Sequence, residues 1–174
     1  MNLIDTGKVI WITGLSGSGK TTLAKSVYSE ITELRKNVIL LDGDKLREIL
    51  SLKKNYDRNS RLKIAMIYSK LCKHLSDQGI IVIISTISLF KEIHAWNREN
   101  IKNYYEIFLD IPLEELKKRD MKKIYTNSAN KSNNIAGVDI DVDFPEKPDF
   151  KINLKNQNEK RNLASQIIEN ILRK

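Results

Sequence analysis

The chain has 174 residues, the size of one domain of about 100–200 residues, and a single domain over 1–174 is expected. Charged residues, 30% of the total, break every apolar stretch before the roughly 18 residues of a spanning helix, and Met1 to Lys8 lacks the apolar core and cleavage site of a secretory signal; a cytoplasmic protein with no membrane partner is expected. The formal charge of +8 suits an anionic partner, but the basic residues are scattered and no DNA- or RNA-reading motif accompanies them; small phosphorylated ligands explain the charge equally well, and no nucleic-acid partner is expected.

Lys8 to Thr13 (KVIWIT) is apolar and rich in β-branched residues, which predicts a strand; a glycine-rich stretch follows at once, then a helical pattern from Thr22 to Leu34. Asn37 to Leu41 reads as a second buried strand, Asp44 to Leu50 as a short helix, and Arg61 to Gln78 as a longer amphipathic helix stopped by Gly79. The lone cysteine, Cys72, has no internal disulfide partner and reads as a buried structural thiol on that helix. Ile80 to Ile84 (IIVII) is apolar throughout, as a strand covered on both faces must be, and is expected at the centre of the sheet. Tyr104 to Leu109 gives a fourth strand, Pro112 to Asp120 a helix with proline in its first turn, Phe150 to Leu154 a fifth strand, and Glu159 to Arg173 a closing helix with an apolar face of Leu163, Ile167, Ile168 and Leu172. The polar, Asn-rich stretch between Tyr125 and Pro148 has little periodicity, and a lid over about 120–148 is expected. Alternating strands and helices imply an α/β, three-layer P-loop fold: a parallel sheet of about five strands with helices on both faces.

Gly14-Leu15-Ser16-Gly17-Ser18-Gly19-Lys20-Thr21 fits G-x-x-x-x-G-K-[ST] in full, between a predicted strand and a predicted helix. The glycines let backbone N–H groups converge on phosphate oxygens, and the following helix, starting near Thr22, directs its positive end at the same charge. Lys20 then reaches the β- and γ-phosphates of ATP, and Thr21 offers its hydroxyl to Mg²⁺. A GTPase switch would need a guanine-reading aspartate, but the nearest stretch, Asn130-Lys131-Ser132-Asn133, ends in asparagine. A non-catalytic nucleotide-binding regulator would lack carboxylates on the acceptor side. This chain carries Asp42-Gly43-Asp44 directly after the second strand, where doubly wound sheets place their ligands. One carboxylate can hold magnesium through its water while the other orients an attacking hydroxyl and accepts its proton; the spacing leaves open which does which. The alternative roles are a helix cap for Asp44 and a turn former for Asp42. Arg47 follows one turn later, near the same mouth.

Over nearly its whole length the sequence resembles the adenylylsulfate kinases, which phosphorylate the ribose 3′-hydroxyl of adenylyl sulfate. The blocks that carry the resemblance are GLSGSGKTT, LLDGDKLR, DQGIIVIISTIS, FLDIPLEELKKRD, and AGVD with FPEKPD, in that order. The resemblance implies a kinase using ATP and Mg²⁺ on a small nucleotide acceptor, commonly as a homodimer. It matches Ser88 to the family's active-site serine, Arg61 to an acceptor-side arginine, and Arg119 and Lys122 to basic residues at the base of the lid. It also exposes departures. Leu89-Phe90-Lys91 stand where the family usually has Pro-Tyr-Arg, and Glu92-Ile93-His94-Ala95-Trp96 replace a charged segment. Ile135 and Ala136 occupy the positions of an adenine-stacking aromatic and a threonine, Ile64 that of a common asparagine, and Tyr56 matches the other stacking aromatic. A stacking face is worth about 1–3 kcal/mol per base in nucleic-acid sites, so its loss points to a base smaller than a purine. These departures favour the branch of the family that phosphorylates cytidine diphosphoramidate in capsule modification, with adenylyl sulfate in sulfate assimilation as the alternative acceptor. His94 and Trp96 are expected to serve packing and surface, and His74 to be structural or solvent-facing.

Overall fold

A computed structural model describes residues 7–52, 57–119, 125, 135–153 and 159–172, with the side chains of 159–162 excepted. Its elements run β1 (Lys8–Gly14), α1 (Lys20–Leu34), β2 (Val38–Asp42), α2 (Gly43–Ile49), α3 (Arg58–Asp77), β3 (Ile81–Ser85), α4 (Lys91–Asn100), β4 (Tyr104–Leu109), α5 (Leu113–Arg119), β5 (Phe150–Ile152) and α6 (Glu159–Leu172). The strands form one parallel five-stranded sheet in the order β2-β3-β1-β4-β5. The middle place falls to β1, not to the IIVII strand, which lies one position inward from the β2 edge. Full apolarity reports cover on both faces, and β1 and β3 share that property; it cannot rank them.

Alternation along the strands sorts side chains into two cores. On β1, Ile10 and Ile12 join Leu23, Val27 and Ile31 of α1 and Ile167 and Ile171 of α6, while Val9 and Trp11 face Tyr68 and Cys72 of α3 and Ile93 of α4. The sheet is thus sandwiched between α1 with α6 and α3 with α4. Cys72 is fully buried and unpaired, and burial pushes its thiol up, as a structural role requires.

The sequence pattern misses the start of one helix and the whole of another. The third helix starts at Arg58, not Arg61, because Asp57 caps it: its carboxylate accepts from the Ser60 N–H at 2.9 Å. Helix α4 has no apolar period to betray it, since its inward face is Ile93 with the fully buried polar Asn97 and the nearly buried His94. No described helix is long and apolar enough to cross a membrane. The second half of the chain returns to the β4 side through Ile135–Ile152, whose first residues pack on the P-loop.

Candidate active site

Every described strand but β5 ends beside the same crevice, at the carboxyl edge of the sheet. β1 runs directly into the loop Gly14–Lys20, and Gly19 turns it into α1 at φ 97°, a left-handed conformation that glycine adopts without penalty. Ser16, Gly17 and Thr22 lie toward the surface, whereas Ser18 is 2% exposed. Lys20 sits on the first turn of α1, and its ammonium folds back to donate to the Leu15 carbonyl at 2.7 Å.

Asp42 ends β2 and caps α2. Its Oδ1 accepts from the N–H groups of Asp44 and Lys45 at 3.0 and 3.3 Å, and its Oδ2 from the hydroxyls of Thr21 and Ser85 at 3.0 and 2.9 Å. Partial burial would push this carboxyl up, but the hydrogen bonds from Ser85, Thr21, Lys45 and Asp44 outweigh it and hold it below the ordinary carboxylate range. The capping role expected of Asp44 therefore belongs to Asp42. Asp44 lies in the first turn of α2, its side chain 70% exposed and paired with Arg47 at 3.0 Å. Tyr68 of α3 locks this turn by donating from its buried hydroxyl to the Gly43 carbonyl at 2.9 Å.

The Thr21, Asp42 and Ser85 oxygens form a hard, oxygen-only donor set next to the phosphate loop, which fits magnesium shared with nucleotide phosphates. The described residues hold no cluster of three or more His, Cys, Asp or Glu able to cage a metal by themselves.

Beside Asp44 a recess opens between α2, α3 and the segment after β3. Arg47 and Arg61 reach it from two helices, with Thr86 and Ser88 on the β3 side; Ile64, Phe90, Ala136, Ile140 and Val142 supply apolar walls. Thr86 and Ser88 share a buried hydrogen bond at 2.8 Å. Phe90 is covered by the Arg58 guanidinium, 5.3 Å from the ring centroid.

The structure separates some residues that the sequence groups. Ile135 is 5% exposed and does not line the recess; its N–H is held by Asp139 at 2.7 Å, and the neighbouring Ala136 faces the recess instead. Lys91 is exposed at the start of α4. Arg119 closes α5 and pairs with Glu115 at 2.9 Å; that helix abuts the P-loop, with a Leu116 methyl 3.8 Å from a Cβ built on Gly17. Tyr56, Lys122 and residues 120–124 and 126–134 of the expected lid lie outside the described residues, but Tyr125 donates to the Ser16 carbonyl at 2.9 Å. Sequence reasoning misses Ser85, Thr86, Tyr68, Arg58 and Asp143. Ser85 and Thr86 carry the usable signal, two hydroxyls at the end of an apolar strand. Tyr68 reads as ordinary core, and Asp143 falls in an aperiodic stretch.

The comparisons agree with this geometry. The adenylylsulphate kinase family model matches residues 6–153. A cytidine diphosphoramidate kinase of Campylobacter jejuni is 46% identical over 167 residues, 95% of each chain. An adenylyl-sulfate kinase of Deinococcus deserti is 38% identical across 86% of this chain and 83% of its own length. Among solved structures, the Mycobacterium tuberculosis APS kinase in complex with AMPPNP and APS superposes with a TM-score of 0.83 at 28% identity, covering 97% of this chain and 99% of that one. The P-loop, the capped Asp42 turn and the adjoining recess are thus those of a chain that belongs to the adenylylsulphate kinase family.

Proposed function

We propose that this chain transfers the γ-phosphate of MgATP to the ribose 3′-hydroxyl of cytidine diphosphoramidate, as an enzyme of the cytoplasm, where ATP is supplied. The observation that carries the acceptor choice is one wall of the recess: Ala136, Ile140 and Val142 are aliphatic and offer a base no stacking face, and the Phe90 ring that also lines the recess is covered by the Arg58 guanidinium. A purine would forgo about 1–3 kcal/mol of stacking there, and a smaller pyrimidine loses less. The 46% identity to a cytidine diphosphoramidate kinase supports the same reading.

In this reading Lys20 leaves the Leu15 carbonyl for the β- and γ-phosphates, and the loop N–H groups hold the remaining charge. Thr21 would ligate magnesium directly and Asp42 through its water; the ion, when bound, neutralises charge on the transferring group. Asp44 orients the acceptor hydroxyl and takes its proton as the new P–O bond forms in line with the breaking bond to ADP. Arg47 and Arg61 hold the acceptor's anionic tail, and Ser88 with Thr86 lines the path between the sites. Catalysis is then positioning and charge stabilisation.

The test is ADP release from MgATP with cytidine diphosphoramidate or adenylyl sulfate across a concentration series, with phosphorus NMR of the product. A higher kcat/KM for the cytidine compound and a new ribose 3′-phosphate are expected. Preference for adenylyl sulfate would make the aliphatic wall neutral for specificity, and turnover of neither would sink the acceptor assignment.

A further inference from the structure

A polar cluster lies outside the phosphate machinery, on the α4 face of β4. Glu106 of β4 is 2% exposed among apolar neighbours, a costly place for a carboxylate unless it is fully partnered. Its Oε1 meets His94 Nδ1 at 2.7 Å and accepts from the Tyr104 hydroxyl at 3.0 Å, while its Oε2 faces Arg98 at 3.4 Å. Asn97, fully buried, donates in turn to the Tyr104 oxygen at 3.2 Å.

The same side chains grip the segment leading into β5 at three points. His94 Nε2 contacts the Asp143 carbonyl at 3.0 Å, Arg98 donates to the Lys147 carbonyl at 3.0 Å, and Arg98 pairs with Asp149 at 2.8 Å. Asp149 also accepts from the Glu106 N–H at 2.8 Å. Asp143 is the point at which this segment meets the acceptor recess. Its carboxylate pairs with Arg58 at 2.9 Å and accepts from the Lys91 N–H at 3.2 Å, and its own N–H donates to the Leu89 carbonyl at 3.0 Å. Val142, Leu89 and Phe90 line the recess, and Arg58 covers Phe90.

We propose that residues 141–149 form a strap latched by His94 onto Glu106, and that His94 and Asp143 are positioning residues that set the acceptor-binding wall. His94 touches no group of the recess itself. It acts through the Asp143 backbone, and both its ring nitrogens face oxygen acceptors, so removal of the ring loosens the strap at Asp143, leaving the Arg98 anchors in place, and deprives the buried Glu106 of one donor. The wall moved by the strap belongs to the acceptor side, whereas the hydrogen bonds of Thr21 and Asp42 join α1 to β2, α2 and the end of β3. The consequence for acceptor affinity rests on the reading of the recess as the acceptor site; the latch itself does not.

His94→Ala and Asp143→Asn test this, with the exposed His74→Ala as control. Asp143→Asn, at a half-exposed side chain, keeps the strap's backbone bonds and guards against a simple folding failure of His94→Ala. Each is expected to raise the KM for the acceptor roughly tenfold, the scale of one lost charge-assisted hydrogen bond, with the KM for ATP unchanged. Hydrogen exchange of the 141–149 peptide is expected to accelerate roughly tenfold in His94→Ala, while Ile81–Ser85 keeps its protection. Equal changes in both KM values, or faster exchange with an unchanged acceptor KM, would overturn the positioning role. Unchanged exchange in His94→Ala would overturn the latch. If the wild type turned over neither acceptor, the functional reading would fail while the exchange result still decided the latch.

Discussion

Asp42 shows how one carboxylate can serve the helix and the site at once, with Oδ1 spent on two backbone N–H groups and Oδ2 on two hydroxyls. Asparagine caps a helix about as well as aspartate, so Asp42→Asn isolates the charge from the cap. The magnesium concentration at half-maximal ADP release is expected to rise about 10- to 100-fold, the usual cost of losing a group that orients a metal ligand. An unchanged magnesium requirement would move the metal role elsewhere. The folded carboxyl titrates below its unfolded value, so its contribution to stability is complete above the unfolded value of about 3.9 and is lost as pH falls through the folded one. The stability gap between wild type and Asp42→Asn in urea should therefore narrow only below about pH 4. Asp44→Asn, in contrast, should lower kcat by about 10²- to 10⁴-fold and leave ATP binding intact, as expected of a general base on the acceptor side. The sequence placed both acids at the right edge of the sheet but could not divide their labour. That division depends on which residue ends β2 and which enters the first turn of α2, a one-residue matter of backbone geometry.

At the scale of elements, strands and amphipathic helices were legible because burial imposes a period, and α4 was not because its buried face is partly polar. Ile93 points inward beside Asn97 and His94, whose hydrogen bonds run to Tyr104, Glu106 and the Asp143 carbonyl, up to 49 residues away in sequence, while the buried Asn97 Oδ1 meets no donor. For the same reason the expectation that His94 serves packing and surface was incomplete: it is 12% exposed and hydrogen-bonded at both nitrogens. Another junction was equally hidden. Gly137 turns the chain at φ +82°, and a Cβ there would lie 2.7 Å from a Leu15 methyl, so the base of the expected lid is fitted against the P-loop. Gly137→Ala combines a left-handed backbone with that clash and is expected to cost about 1–3 kcal/mol, or about 2–10 °C in Tm for a chain of this size. The displaced Leu15 should also raise the KM for ATP. A variant with wild-type Tm and KM would show that the two segments do not press on each other in solution.

For the whole molecule, the two cores and the crevice follow from a single arrangement: helices on both faces leave only the ends of the strands free to meet a ligand. A crevice bounded by segments from both halves of the chain should gain stability when its ligand bridges them. Binding to the folded state alone adds about 2.7 kcal/mol at a ligand concentration of 100 Kd, which corresponds to a rise of about 5–10 °C in Tm. MgATP is expected to produce a rise on this scale, and ATP with a chelator a much smaller one, since Thr21 and Asp42 are proposed to act through the ion. Lys20→Ala should keep the ligand-free Tm within about 2 °C, because the ammonium it removes sits on a half-exposed side chain that donates to the Leu15 carbonyl. It should lose most of the MgATP-induced rise and all measurable transfer. If Lys20→Ala were stabilised by MgATP as strongly as the wild type and still turned over, the nucleotide would have to be held elsewhere, and the donor side of the site would fall with it.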